Sequence, residues 1–239
     1  MLDIQSKIQT SQVEKEGVVF NSANPVHGPC PGSFTGNISL QKQCVVVVQE
    51  WWGMNEQIKD QAKNISKQGN FVTLVPDLYR GKVATKPVLA LHLATNLDYN
   101  GGVNDVQAAA RYLLASGCEK VGVTGFCMGG AFSLAAAARI PEISAAVAFY
   151  GIPREDVANI SQIKIPIQLH FGRNDTSNVA GPAGYNALFA KLDSAKIPYE
   201  KFLYNAGHAF TNKESPYYIE EVAKLSIGRM INFFKTHLS

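Results

Sequence analysis

The sequence is poor in most of what marks a specialised chain. Of its 239 residues only 17% are charged, and the lysines behind the net charge of +3 are scattered. That leaves no basic stripe for a phosphate backbone, so nucleic acid is not an expected partner. No stretch approaches the ~20 apolar residues of a membrane span, and the opening MLDIQSKIQTSQVEKEG has neither an apolar leader segment nor a small-residue cleavage pattern. The expectation is a soluble, cytosolic protein with no membrane partner. Internal repeats and low-complexity linkers are absent too, so a single domain is expected over residues 1–239, with 1–16 as an N-terminal extension.

Cysteine is scarce. Cys30, Cys44, Cys118 and Cys127 form no CxxC pair. Cys44 and Cys118 sit beside or inside apolar runs and read as small hydrophobes. The sequence also allows a Cys30–Cys44 disulfide, which a reducing compartment disfavours. His27, His92, His170 and His237 show no metal-ligand spacing and read as structural or solvated. No metal or other cofactor is expected.

What the chain does have is alternation. Short, largely apolar, β-branched runs predict strands at Cys44–Gln49, Phe71–Val75, Lys120–Thr124, Ser144–Phe149, Ile165–Phe171 and Tyr199–Tyr204. Helical patterns fall between and after them at Asn55–Gly69, Val103–Gly117, Gly129–Ile140, Gly184–Ala195 and Ile219–Lys235, the first two closed by glycine. GVVF with SFTGNISL suggests an antiparallel hairpin at the sheet edge. The fold class is therefore α/β: a mostly parallel, doubly wound sheet whose sites belong at the carboxyl ends of the strands.

One turn stands out. GFCMG, Gly125 to Gly129, follows a buried strand and opens a helix. It has the small-x-nucleophile-x-small pattern of a nucleophile elbow, where flanking side chains would clash with neighbouring backbone. The helix N-terminus would then favour a thiolate or an oxyanion at Cys127. A core cysteine flanked by glycines by chance is the alternative. Against it, Asp175 in HFGRNDTSN and His208 in YNAGHAF follow later strands in the order nucleophile, acid, histidine that the α/β-hydrolase fold uses. In that arrangement His208 takes the proton from Cys127, and Asp175 fixes the imidazole. The amides of Met128 and, from QEWWG, Trp51 are candidate oxyanion donors. Glu50, at the end of VVVVQE, reads from its position alone as a solvated strand-end acid.

Taken in order, QEWWG, PDLYRG, GFCMGGAF, FYG, HFGRND and GHAF resemble the dienelactone hydrolase (carboxymethylenebutenolidase) family of the α/β-hydrolase fold, from about Val18 to the C-terminus. The resemblance implies hydrolysis of a small lactone or ester through a thioester. It implies Cys127, Asp175 and His208 as the triad, Trp51 and Met128 as the oxyanion hole, and Glu50 as a carboxylate that holds the resting thiol and assists its deprotonation. A carboxylate beside the thiol would also offset the helix-dipole effect.

Two positions depart from the family's carboxylate grip of two arginines. Arg80 follows DLY one position early, and Asn212, with Lys213 beside it, stands where the second arginine belongs. The two-arginine grip on dienelactone therefore does not carry over intact, and the sequence leaves open whether Arg80 or Lys213 replaces it. Trp51, Trp52, Tyr79, Arg80, Phe126, Phe171 and Phe210 are the candidate pocket residues, and a small, flat ester is the expected ligand if the aromatics face the cleft. The chain is expected to be a monomer or weak homodimer. The alternatives are a redox-sensing thiol module on the same fold, against which Asp175 and His208 argue, and an acyltransferase using the same thioester.

Overall fold

The run Cys44–Val48 is buried on both faces, and such a strand belongs inside a sheet covered by helices on each side. In the computed structural model, which describes residues 14–239, it forms β3 (Gln43–Val48) near the middle of an eight-stranded sheet. The other strands are β1 (Glu14–Phe20), β2 (Cys30–Thr35), β4 (Val72–Pro76), β5 (Lys120–Phe126), β6 (Ile143–Phe149), β7 (Ile167–Gly172) and β8 (Tyr199–Tyr204). Their order is β1-β2-β4-β3-β5-β6-β7-β8. From β4 to β8 all neighbours are parallel, while β1–β2 and β2–β4 are antiparallel. This is the α/β-hydrolase arrangement, with the expected edge hairpin. The N-terminal extension expected over 1–16 lies outside the described residues except for Glu14, Lys15 and Glu16, which open β1.

Among the described residues six α-helices cross between or follow the strands: α1 (Glu56–Gly69), α2 (Pro87–Thr95), α3 (Tyr99–Ala115), α4 (Met128–Arg139), α5 (Pro182–Ser194) and α6 (Glu220–His237). Helix α1 starts where the Asn55 side chain accepts the Ile58 N–H. It ends at Asn70, whose φ of 59° supplies the left-handed stop. Gly69, expected to be that stop, lies inside the helix, and a Cβ there would meet the Phe71 ring at 2.3 Å. Helix α2 is unforeseen because PVLALHLAT has no polar face; only Ala90 is buried, and Val88, Leu89 and Leu91 are exposed. Among the described residues no helix is long and apolar enough to cross a membrane.

The cysteines differ from expectation. Cys44 near the start of β3 and Cys118 just before β5 are joined in a disulfide, since the parallel pairing that sets Cys44 opposite Val121 brings the residues ahead of β5 beside it. Cys30 is a free, buried thiol, so the Cys30–Cys44 pair does not form. The bond departs from the reduced thiols expected of a cytosolic chain. It closes a loop with a sequence separation of 74, worth about 4.4 kcal/mol in the chain-entropy account and typically about 2–4 kcal/mol in practice. Thiol alkylation of the denatured protein should therefore modify Cys30 and Cys127 alone before reduction and all four cysteines after it. Reduction should lower stability by about 2–4 kcal/mol in urea unfolding. Labelling of Cys44 in unreduced protein would contradict the pairing.

Candidate active site

β5 ends at Phe126, and the chain turns into α4 through Cys127, whose φ of 55° and ψ of −117° lie in a region that side chains rarely adopt. The turn is tight because the backbones around it almost touch. A Cβ on Gly125 would meet the Gly129 oxygen at 2.2 Å, and one on Gly129 would meet the Val48 oxygen at 2.2 Å. One on Gly130 would meet the Phe149 oxygen at 2.3 Å, and one on Gly151 would meet the Cys127 oxygen at 2.0 Å. The Cys127 N–H donates to the Phe149 oxygen at 3.1 Å. Cys127 is thus left half-buried above the sheet, at the N-terminus of α4.

β7 and β8 supply the other two members. Beyond β7, Asp175 is buried and accepts the Ser177 N–H on Oδ1 at 2.8 Å. Its Oδ2 lies 2.6 Å from His208 Nδ1, on the loop beyond β8. The Nδ1 proton is thereby committed to Asp175, which leaves the other ring nitrogen of His208 available in cavities that Cys127 also lines. Burial disfavours the imidazolium, but the hydrogen bonds to Asp175 and Cys127 outweigh it and hold the His208 pKa up at about 10. Burial also opposes ionisation of Asp175, yet the hydrogen bonds from His208 and Ser177 keep its carboxyl below the ordinary range. A thiol, an imidazole and a carboxylate in series form a relay that can take a proton from sulfur.

Glu50, just past β3, is buried rather than solvated. Its Oε2 accepts from Asn212 Nδ2 at 2.7 Å and its Oε1 from the Tyr150 hydroxyl at 3.3 Å. Asn212 is oriented by the Glu214 N–H, which donates to its Oδ1 at 2.9 Å. Tyr150 and Thr211 share a 2.6 Å hydrogen bond, and the Tyr150 ring packs edge-on to His208 with centroids 5.0 Å apart. Burial pushes the Glu50 carboxyl above its usual range despite the Asn212 bond. Burial and the neighbouring Glu50 together keep Tyr150 a neutral phenol and a donor.

Two cavities meet at this point, and both are lined by Trp51, Cys127 and His208. The larger, about 1150 Å³, also has Glu50, Trp52 and Asn212 in its wall; the smaller, about 370 Å³, has Met128. The other expected pocket residues are elsewhere. Phe126 stacks on Phe149 at 4.8 Å, Phe171 packs on Tyr185, and Phe210 is wedged between Tyr150 and Tyr204. Tyr79 is buried with its hydroxyl donating to Met128 Sδ at 3.5 Å.

Arg80 lines neither cavity. Its guanidinium forks onto fully buried Asp105 at 2.8 and 2.9 Å and donates to the Gly28 and Asp77 carbonyls, so it ties α3 to two loops instead of facing a ligand. Lys213 is exposed and lines neither cavity. Sequence reasoning missed Tyr99 and Phe132, which lie on helices without a local signal, and it missed Tyr150, which FYG carries beside the close-packed Gly151. Among the described residues no group of three or more His, Cys, Asp or Glu side chains is placed to hold a metal ion.

The pairing of Asp175 with His208 has a pH signature. His208 binds its proton more tightly folded than at its ordinary 6.5, so its share of stability is complete below that value and is lost as pH rises through about 10. Asp175 contributes above its ordinary 3.8 and loses its share as pH falls. Asp175→Asn should therefore depress Tm most near about pH 5.5, with the gap to wild type narrowing toward about pH 10.5. A gap that stays constant across that range would contradict a protonated His208 held by Asp175.

Comparison with known proteins gives a consistent picture. A sequence profile described as "Dienelactone hydrolase family" matches residues 33–238. The chain is 30% identical over 213 residues to a "Putative carboxymethylenebutenolidase" of Aquifex aeolicus, covering 81% of this chain and 88% of that protein. It is likewise 30% identical over 213 residues to a "Probable 2-oxo-3-(5-oxofuran-2-ylidene)propanoate lactonase" of Bradyrhizobium sp, covering 81% of this chain and 84% of that one. Among solved structures, one titled as a "Putative Dienelactone Hydrolase" from Klebsiella pneumoniae superposes with a TM-score of 0.79 at 25% identity, covering 92% of this chain and 99% of that one.

Proposed function

The chain belongs to the dienelactone hydrolase family, and from that premise we propose that it hydrolyses small carboxylic esters or lactones with Cys127 as the nucleophile. The observation that carries this reading is the series Cys127, His208, Asp175 at a turn whose backbone contacts leave no room for side chains beside the sulfur.

The reaction runs in two halves. Cys127 Sγ attacks the carbonyl carbon as a thiolate whose proton is already held by the His208 nitrogen opposite Asp175. The carbonyl oxygen becomes an oxyanion held by the amides of Trp51 and Met128; the latter is free to donate because the first N–H groups of a helix have no acceptor within it. Collapse breaks the carbon–oxygen bond, and His208 returns its proton to the departing alcohol, which in a lactone stays tethered. Water then attacks the thioester and gives a proton to His208. The acid leaves, and the thiolate again faces a protonated His208.

Glu50 enters this scheme as a buried carboxylate whose position depends on Asn212 and Tyr150. In this role it modulates the proton held at Cys127, and no metal or organic cofactor is needed. Kinetics on phenyl acetate and a simple neutral lactone test the reading. Cys127→Ala and His208→Ala should each lower kcat/KM by at least about 1,000-fold, and Glu50→Gln should lower it less and change its pH profile. Wild-type rates in Cys127→Ala would sink the assignment.

A further inference from the structure

The two cavities that meet at Cys127 are chemically unlike. The larger is bordered by four carboxylates, Glu50, Glu56, Asp77 and Glu214, against one lysine, Lys59, which already pairs with Glu56 at 2.7 Å. The smaller runs from the sulfur along α4, past Ala131, Phe132 and Ala135, to Tyr99, Val157 and the exposed Val179 at its rim.

Two hydroxyls of the smaller lobe are already engaged. The Tyr150 hydroxyl is shared by Thr211 and Glu50, and Ser177 Oγ accepts the Ala180 N–H. Away from His208, the cation in its lining among the described residues is Arg154. That guanidinium forks onto Asp156 at 2.8 and 3.0 Å and lies over the Tyr99 ring at 5.0 Å, while Tyr99 stacks on Phe132. With Arg80 bound to Asp105 and Asn212 bound to Glu50, neither lobe offers an unengaged arginine to a carboxylate.

We propose that the smaller lobe is the acyl subsite for an uncharged, apolar chain or phenyl ring, so that the preferred substrates are neutral hydrophobic esters rather than carboxylated ones. The proposal rests on the reading of Cys127 as nucleophile and adds the substrate class to it. At about 370 Å³ the lobe equals about a dozen waters at ~30 Å³ each, room for a short to medium alkyl group. Each methylene moved from water into it is worth about 0.8 kcal/mol, close to fourfold in kcat/KM when the contact is made in the transition state.

The test is a series of p-nitrophenyl esters from acetate through butyrate to hexanoate, set against a p-nitrophenyl half-ester of a dicarboxylic acid of equal length. In wild type kcat/KM should rise by about threefold to fourfold per methylene, and the carboxylated ester should fall at least about tenfold below its neutral counterpart. Ala135→Leu, which fills the floor, and Val179→Trp, which crowds the exposed rim and does not disturb the core, should each cut the hexanoate-to-acetate ratio about tenfold.

Cys127-dependent turnover with a flat chain-length profile, an unchanged ratio in both variants, or preference for the carboxylated ester would overturn the proposal and leave the nucleophile standing. The nucleophile fails separately if Cys127→Ala retains the rates. Binding of neutral methyl ketones of the same chain lengths to Cys127→Ala protein, read by calorimetry, reports the lobe independently of the chemistry. Affinity there should climb with chain length and drop in Val179→Trp, and a flat series would reject the subsite.

Discussion

The site depends on how closely three glycines let separate stretches of backbone approach. Gly129 lies against the end of β3 and Gly130 against the end of β6, while Gly151 lies against the carbonyl of Cys127 itself. A methyl group at any of these positions would enter space already held by main-chain atoms at 2.0 to 2.3 Å, which cannot move aside as a flexible side chain would. Three strand ends are thereby drawn around the first turn of α4. Glu50 and Trp51 arrive from β3, Cys127 from β5 and Tyr150 from β6. The backbone strain at Cys127 recurs at Tyr150 and Ala209, with φ of 36° and 58°, both in the walls of cavities that Cys127 also lines. Strain gathered at one place and held by packing on every side is what a fixed site requires.

Much of this was legible in the sequence because it was written in short-range chemistry. The elbow needs small residues at fixed offsets, and GFCMGG supplies them. Parallel strands need unbroken apolar runs, and CVVVV and AAVAF supply those. The order Cys127, Asp175, His208 placed three groups on three loops that the fold then brings together.

What the sequence hid was long-range or aperiodic. Helix α2 has no polar stripe, and the start of α3 is masked by Gly101 and Gly102, poor helix formers that make room for Asn24 and the Phe132 ring. The Cys44–Cys118 bond depends on which strands are neighbours, a fact of topology and not of spacing. Aromatic residues next to motifs divided for the same reason. Trp51 and Trp52 face the cavities, whereas Tyr79, Phe126 and Phe210 are core, and nothing local distinguishes them. Arg80 carried the right charge in the right loop but had an acidic partner in α3 that only the fold places beside it.

The electrostatic arrangement gives the two ends of the site different tasks. At one end Asp175 commits one nitrogen of His208 and favours its protonated form, so in the proposed mechanism the proton from sulfur has a stable resting place. At the other, Glu50 is kept from solvent and shared between an amide and a phenol, so its position answers to Asn212 and Tyr150. The account stands or falls on the covalent step. Rapid quenching of a p-nitrophenyl acetate reaction followed by peptide mass spectrometry tests it most directly. The account predicts one acyl group on the peptide containing Cys127, formed within a burst and lost on further incubation. An acyl group on another residue, or turnover with no acylated peptide and no burst, would contradict it.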